Sequence, residues 1–141
     1  MKKFILSLCM AIPALVGFAQ EQNCMPESVY ADSAFNVEVA RVIYKKFATS
    51  NSPLFKGKYL RQVATSNFEE KQKDGKVIYR DIDFLVAKQN DKGECKLMKF
   101  TIRQEFSADG KWGKPIIQSF APSAGSPDCN CVLAKKDWYK P

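Results

Sequence analysis

The hydrophobic positions change period partway along the chain. From Ala34 to Phe47 they recur at helical intervals, with Phe35, Val39, Val42, Ile43 and Phe47 on one face. Val37, Ala40 and Tyr44 widen that face, and Glu38, Arg41 and Lys45 form a compact polar stripe. So broad an apolar face predicts a helix around which a curved sheet wraps. Asp32 or Ser33 can cap its start, and Ser50-Asn51-Ser52-Pro53 ends it.

Beyond Pro53 the period falls to two residues, the spacing of strands. Lys58 to Phe68 is the least regular stretch, with Leu60, Val63 and Phe68 not strictly alternating. Lys76 to Lys88 places Ile82, Phe84 and Val86 on one face and Tyr79, Asp81 and Asp83 on the other. Cys95 to Phe106 sets Met98, Phe100, Ile102 and Phe106 against Lys99, Thr101, Arg103 and Glu105. Pro115 to Ala121 is shorter, with Ile116 and Phe120 on one side. The turns at Lys73-Asp74-Gly75, Asn90-Asp91-Lys92-Gly93 and Ala108-Asp109-Gly110 are too short for crossovers, so neighbouring strands run antiparallel. The prediction is an α+β fold, one N-terminal helix packed on a four-stranded antiparallel meander, over residues 33–121. Residues 20–32 are a polar lead-in and residues 122–141 a C-terminal tail tied by cysteines, with Pro122 to Asp128 as a linker. Phe35, Val39, Ile43, Phe84, Phe100 and Ile102 are expected among the most buried side chains.

The start of the chain follows neither period. Lys2 and Lys3 precede an apolar run from Phe4 to Phe18, and Gly17-Phe18-Ala19 puts small residues before a cut after Ala19. That order is a secretory signal peptide over residues 1–19. The run is too short for a spanning helix, and Pro13 interrupts it. Cleavage leaves 141 − 19 = 122 residues with a net charge of (22 − 2) − 15 = +5 and no second run long enough to span a bilayer. The expected location is periplasmic or secreted, an oxidising compartment.

Composition then narrows the chemistry. Apolar residues at 45% and charged residues at 26% are globular values. The chain has no His, which removes the commonest general base and the commonest metal ligand. Lysines are scattered from Lys56 to Lys99 rather than gathered into a block, which argues for solubility and weak attraction to anionic polymers, and no nucleic-acid partner is expected. Of the five Cys, Cys24, Cys95, Cys129 and Cys131 remain after cleavage, an even number that suits disulfides. Three connectivities exist; the two that tie Cys24 and Cys95 to Cys129 and Cys131 are preferred, because bridging Cys129 to Cys131 across Asn130 strains disulfide geometry. A different use of the same residues is a soft-metal site from Cys129, Cys131, Cys24, Met25 and Met98, or a redox-active Cys-x-Cys.

Catalytic constellations are thin. Asp81 and Asp83 share a strand face, but that face is the one assigned to solvent, and splitting paired carboxylates into acid and base needs burial. No Gly-rich phosphate loop or Cys-x-x-Cys occurs, and no cofactor is expected. Trp112 carries more interest. It falls in the hairpin Ser107 to Lys114 between Gly110 and Gly113, without a strand face to bury against. The loop Glu69 to Gly75 emerges at the same end of a meander, so Lys73 and Asp74 join Lys111 and Trp112 as candidate binding residues. Folding back of Trp112 onto the sheet edge is the structural alternative.

One helix followed by a four-stranded meander resembles the cystatin-like superfold, with NTF2-like folds nearby, over about residues 33–121 and on element order alone. In cystatins the corresponding loops form part of a protease-binding wedge whose second loop carries a Trp. Here the first loop reads Glu-Glu-Lys-Gln-Lys-Asp-Gly instead of Gln-x-Val-x-Gly, Trp112 follows Lys111 rather than Pro, and no Gly precedes the helix after the signal. The resemblance therefore implies a loop-borne binding edge without implying inhibition of a cysteine protease. The expected function is an exported, non-enzymatic binding domain, an inhibitor, immunity or adaptor protein, that recognises a protein partner through its hairpin loops. The alternative is an envelope small-ligand, metal or redox module using the sheet cavity or the Cys-x-Cys segment.

Overall fold

In the computed structural model, residues 24–135 are described. The expected signal peptide (1–19), residues 20–23 of the lead-in and the Trp138-Tyr139 end of the tail lie outside them. Asp32 opens the helix: its carboxylate accepts the Phe35 N–H at 3.0 Å, satisfying one of the free donors of the first turn. The helix α1 spans Ser33–Ile43, and the chain then widens into a π-helical turn, Tyr44–Ala48, which carries Phe47 to the core. Phe47 meets Phe55, Phe100 and Phe120 with ring centres 4.6, 5.3 and 4.8 Å away.

Five antiparallel strands follow rather than four: β1 (Lys58–Ala64), β2 (Glu69–Lys73), β3 (Lys76–Gln89), β4 (Cys95–Glu105) and β5 (Ile116–Gly125). The order β1-β3-β4-β5 is the expected meander, and β2 is the addition. β1 pairs with the second half of β3 and β2 with its first half, so the irregular stretch from Lys58 is one strand broken at Thr65–Phe68. At the break Thr65 N–H donates to the Asp83 carbonyl, and the Ser66 hydroxyl accepts the Asp83 N–H. The freed geometry turns Phe68 inward against Tyr30 and Phe35.

One sheet face lies under α1. Ile82, Phe84, Val86, Met98, Phe100 and Ile102 are buried there with Phe35, Val39 and Ile43, as the alternation predicts. The fourth strand needs a correction: Ile117, across from Ile102, packs on this core, while Ile116 lies across from Arg103 on the other face. Gln118 is an extra residue at a bulge, and one extra residue reverses the facing of what precedes it. β5 also runs on through Pro122, which an edge strand tolerates because its N–H side has no partner strand.

The opposite face is covered over half its length. A short helix, α2 (Cys129–Ala134), capped by Asp128, packs with Met25 on Leu60, Val63 and Ala87. Two disulfides hold it, Cys24–Cys131 and Cys95–Cys129, with Cα atoms 5.7 and 5.3 Å apart. This is one of the two preferred connectivities. Arg61, 1% exposed, reaches the Met25 carbonyl and Glu27, fastening the N-terminal segment to β1. Among the described residues, no helix is long and apolar enough to cross a membrane.

Candidate functional site

The open surface of the sheet lies at the end away from the disulfides, where the β2–β3 and β4–β5 hairpins emerge. Asp74 and Gly75, both with positive φ, turn the first hairpin, and Lys73 pairs with Lys76 beside them. In the second, the Ser107 N–H donates to the Lys111 carbonyl and Gly110 takes the positive φ. Lys73, Asp74 and Lys111 are exposed at these tips.

Trp112 departs from the expectation of a free tip residue. It forms a bridge with Phe106, their ring centres 4.7 Å apart, and is half-buried. Its indole lies on the Arg80 guanidinium at 4.1 Å, and the Phe68 ring covers that guanidinium at 3.7 Å. The cation is gripped along one edge as well. Nε and Nη2 both donate to Gln104 Oε1, at 3.0 and 2.7 Å, and Gln104 Nε2 donates to the Gly113 carbonyl at 2.8 Å. Burial lowers the Arg80 pKa, and Tyr30 and Glu70, acting through space, offset part of that. Arginine still stays charged. Beside this stack Ile78 and Phe106 are 37% and 36% exposed, an apolar margin continuous with Trp112.

Arg80, Gln104, Phe68 and Phe106 were not among the sequence candidates for binding. The signal was present for two of them. Arg80 falls in phase with Ile82, Phe84 and Val86, and Gln104 in phase with Phe100 and Ile102. A polar residue at an inward-facing position needs a buried partner, and here the two supply each other.

The other sheet face at this end carries the carboxylates considered for catalysis. Asp81 receives two bonds of 2.8 Å from Arg103, whose guanidinium also stacks on Tyr79 at 3.5 Å. Asp83 accepts from Thr101 at 2.7 Å and pairs with Lys99 at 2.8 Å. Partial burial raises the Asp83 pKa, but the bonds from Lys99 and Thr101 and the Lys99 charge outweigh it, and the net shift is downward. A carboxylate held ionised and fully engaged is poorly placed for proton transfer at neutral pH.

The soft-metal alternative is not assembled. The four sulfurs are joined in pairs, and Met25 and Met98 lie in separate cores on opposite faces of the sheet. Comparison with protein-family models, with curated proteins and with solved structures finds no match.

Proposed function

We propose that the chain is an exported, non-enzymatic binding domain of cystatin-like architecture that recognises a protein partner with the hairpin end of its sheet. One observation carries the reading: a rigid aromatic–guanidinium platform, Phe68–Arg80–Trp112 with Phe106, rimmed by the exposed tips bearing Lys73, Asp74 and Lys111. Tryptophan and arginine held in place contribute most per residue at protein interfaces, because little side-chain freedom is lost on contact. A hairpin-borne surface on a disulfide-fastened sheet suits an inhibitor, immunity or adaptor role in the periplasm or outside the cell.

The test is cross-linking with mass-spectrometric mapping of the exported protein captured with its partner from the source cells. Lysine cross-links should concentrate at Lys73, Lys76 and Lys111, and Trp112→Ala should weaken capture by about tenfold or more. Cross-links centred on Lys92 and Lys96 at the opposite end, with Trp112→Ala inert, would reject this surface.

A further inference from the structure

The geometry points to Arg80 as a carboxylate receptor, a guanidinium held in place to take one acidic side chain of the protein partner. This rests on the binding reading above and specifies its chemistry.

Arg80 is only partly engaged by its described neighbours. Its two faces are covered by Phe68 and Trp112, and one edge is held by the Gln104 side chain. A guanidinium has five N–H donors; these bonds use Nε and one hydrogen of Nη2, and among the described residues no partner engages Nη1. No described carboxylate stands within ion-pair distance of it either. Arg103 on the neighbouring strand provides the control within the same molecule. It also stacks on a ring, but Asp81 completes its fork with two short bonds. Arg80 has stacking on two rings and, among the described residues, no anion.

Stacking and the Gln104 bonds orient the cation without neutralising it. The remaining Nη1–Nη2 edge presents parallel donors spaced for the two oxygens of a carboxylate. Tyr30 and Glu70, the latter across the strand pair from Arg80, act on it only through space, and Glu70 stays beyond ion-pair distance. Lys73 and Lys76 add positive charge at the adjoining tip, and Ile78 and Phe106 give apolar footing for residues flanking the acid. A lone, hydrated anion would gain little from that footing, which favours a carboxylate carried on a peptide.

The experiment titrates the mature protein with the capped peptide acetyl-Ile-Glu-Leu-amide and its Gln counterpart, following the Arg80 Nε–Hε resonance by NMR. Capping removes terminal carboxylates, and sodium acetate forms a third arm. The Glu peptide should bind saturably and shift the Arg80 resonance, with the Gln peptide and acetate at least about tenfold weaker. Glu70→Gln, at an exposed position, should tighten the Glu peptide by about two- to fivefold, which a merely structural Arg80 would not do. Equal binding of Glu and Gln peptides, acetate as tight as the peptide, or shifts that bypass Arg80 would each overturn the assignment. If cross-links still mapped to Lys73 and Lys111, the binding surface would stand while the carboxylate receptor fell.

Discussion

The two ends of the sheet solve the same problem by opposite means. At the disulfide end both faces are covered: α1 and its π turn lie on one side, and Met25 with α2 on the other. A polar residue that strays there is capped by backbone, as Lys88 is by the carbonyls of Leu54 and Lys56. At the hairpin end α1 contributes Phe35, packed on Phe68, β2 is exposed along its whole length, and the core-facing phase of β3 and β4 passes through Arg80 and Gln104 to the part-exposed Ile78 and Phe106. Covalent and apolar stabilisation is concentrated at one end, so the other tolerates a half-satisfied cation and exposed aromatics. On the proposed reading, stability and recognition are divided along the strand direction within one sheet.

The sharpest way to break that division is to remove the covalent part. Replacing Cys95 and Cys129 together with Ser should cost about 4 kcal/mol, and Cys24 with Cys131 about 4–5 kcal/mol, given sequence separations of 34 and 107 residues. Urea unfolding of the oxidised and substituted proteins measures both. A loss below about 1 kcal/mol would mean that the apolar cluster under α2 suffices without its bridges.

Next in size is the core that the two ends share. Phe100 is fully buried between Phe47 and Phe84, across the strand pair from the latter, so Phe100→Ala should cost about 3–5 kcal/mol in the same assay. A one-residue error in register would expose it, and the cost would drop to the surface level of about 0.5 kcal/mol.

Much of this arrangement could be read in advance where side-chain period alone decides it. Phe35, Val39 and Ile43 on the helix, and Phe84, Phe100 and Ile102 on the strands, are buried as their spacing demands. Where pairing or covalent linkage decides, the pattern was silent. β2 reads Glu-Glu-Lys-Gln-Lys and has no apolar face; it exists because the first half of the 14-residue β3 offers it backbone partners. The second core was hinted at by Leu85, Ala87 and Leu97, which sit in the outward phase but cannot be exposed together without cover. Trp112 could be placed on its hairpin, but its grip on Arg80 depended on recognising Arg80 as an inward-facing cation. The β5 bulge at Gln118 left no trace in the sequence, and it moved Ile116 to the outer face.

Smaller effects belong to the hairpin end. Trp112→Ala should cost about 1–2 kcal/mol, the combined scale of one cation–π contact and one aromatic pair, since the residue is stacked rather than free. Thermal unfolding checks it. A cost comparable to Phe100→Ala would mean that the platform is part of the core, and the contrast between the two ends would shrink.

The smallest expected effect concerns the outer face of the same half, where charges rather than rings meet solvent. Asp83 is 30% exposed and engaged by Lys99 and Thr101, so Asp83→Asn should cost no more than about 1 kcal/mol at neutral pH. Its sign with pH is fixed by the downward shift of the native carboxyl. Stabilisation from a lowered pKa is complete above the ordinary aspartate value and is lost as pH falls through the lowered native one. The difference between Asp83→Asn and the parent protein should therefore be present at pH 7 and shrink steadily under acid, because the protonated parent also lacks the charge. Salt should shrink it as well, since the pair is partly open to water. Denaturant titrations across acid pH at low and high ionic strength measure both dependences. A cost of several kcal/mol that ignored pH and salt would instead identify the Thr101 and Lys99 bonds as buried structure, and the outer face of the hairpin end would then have to be counted with the fastened half of the molecule.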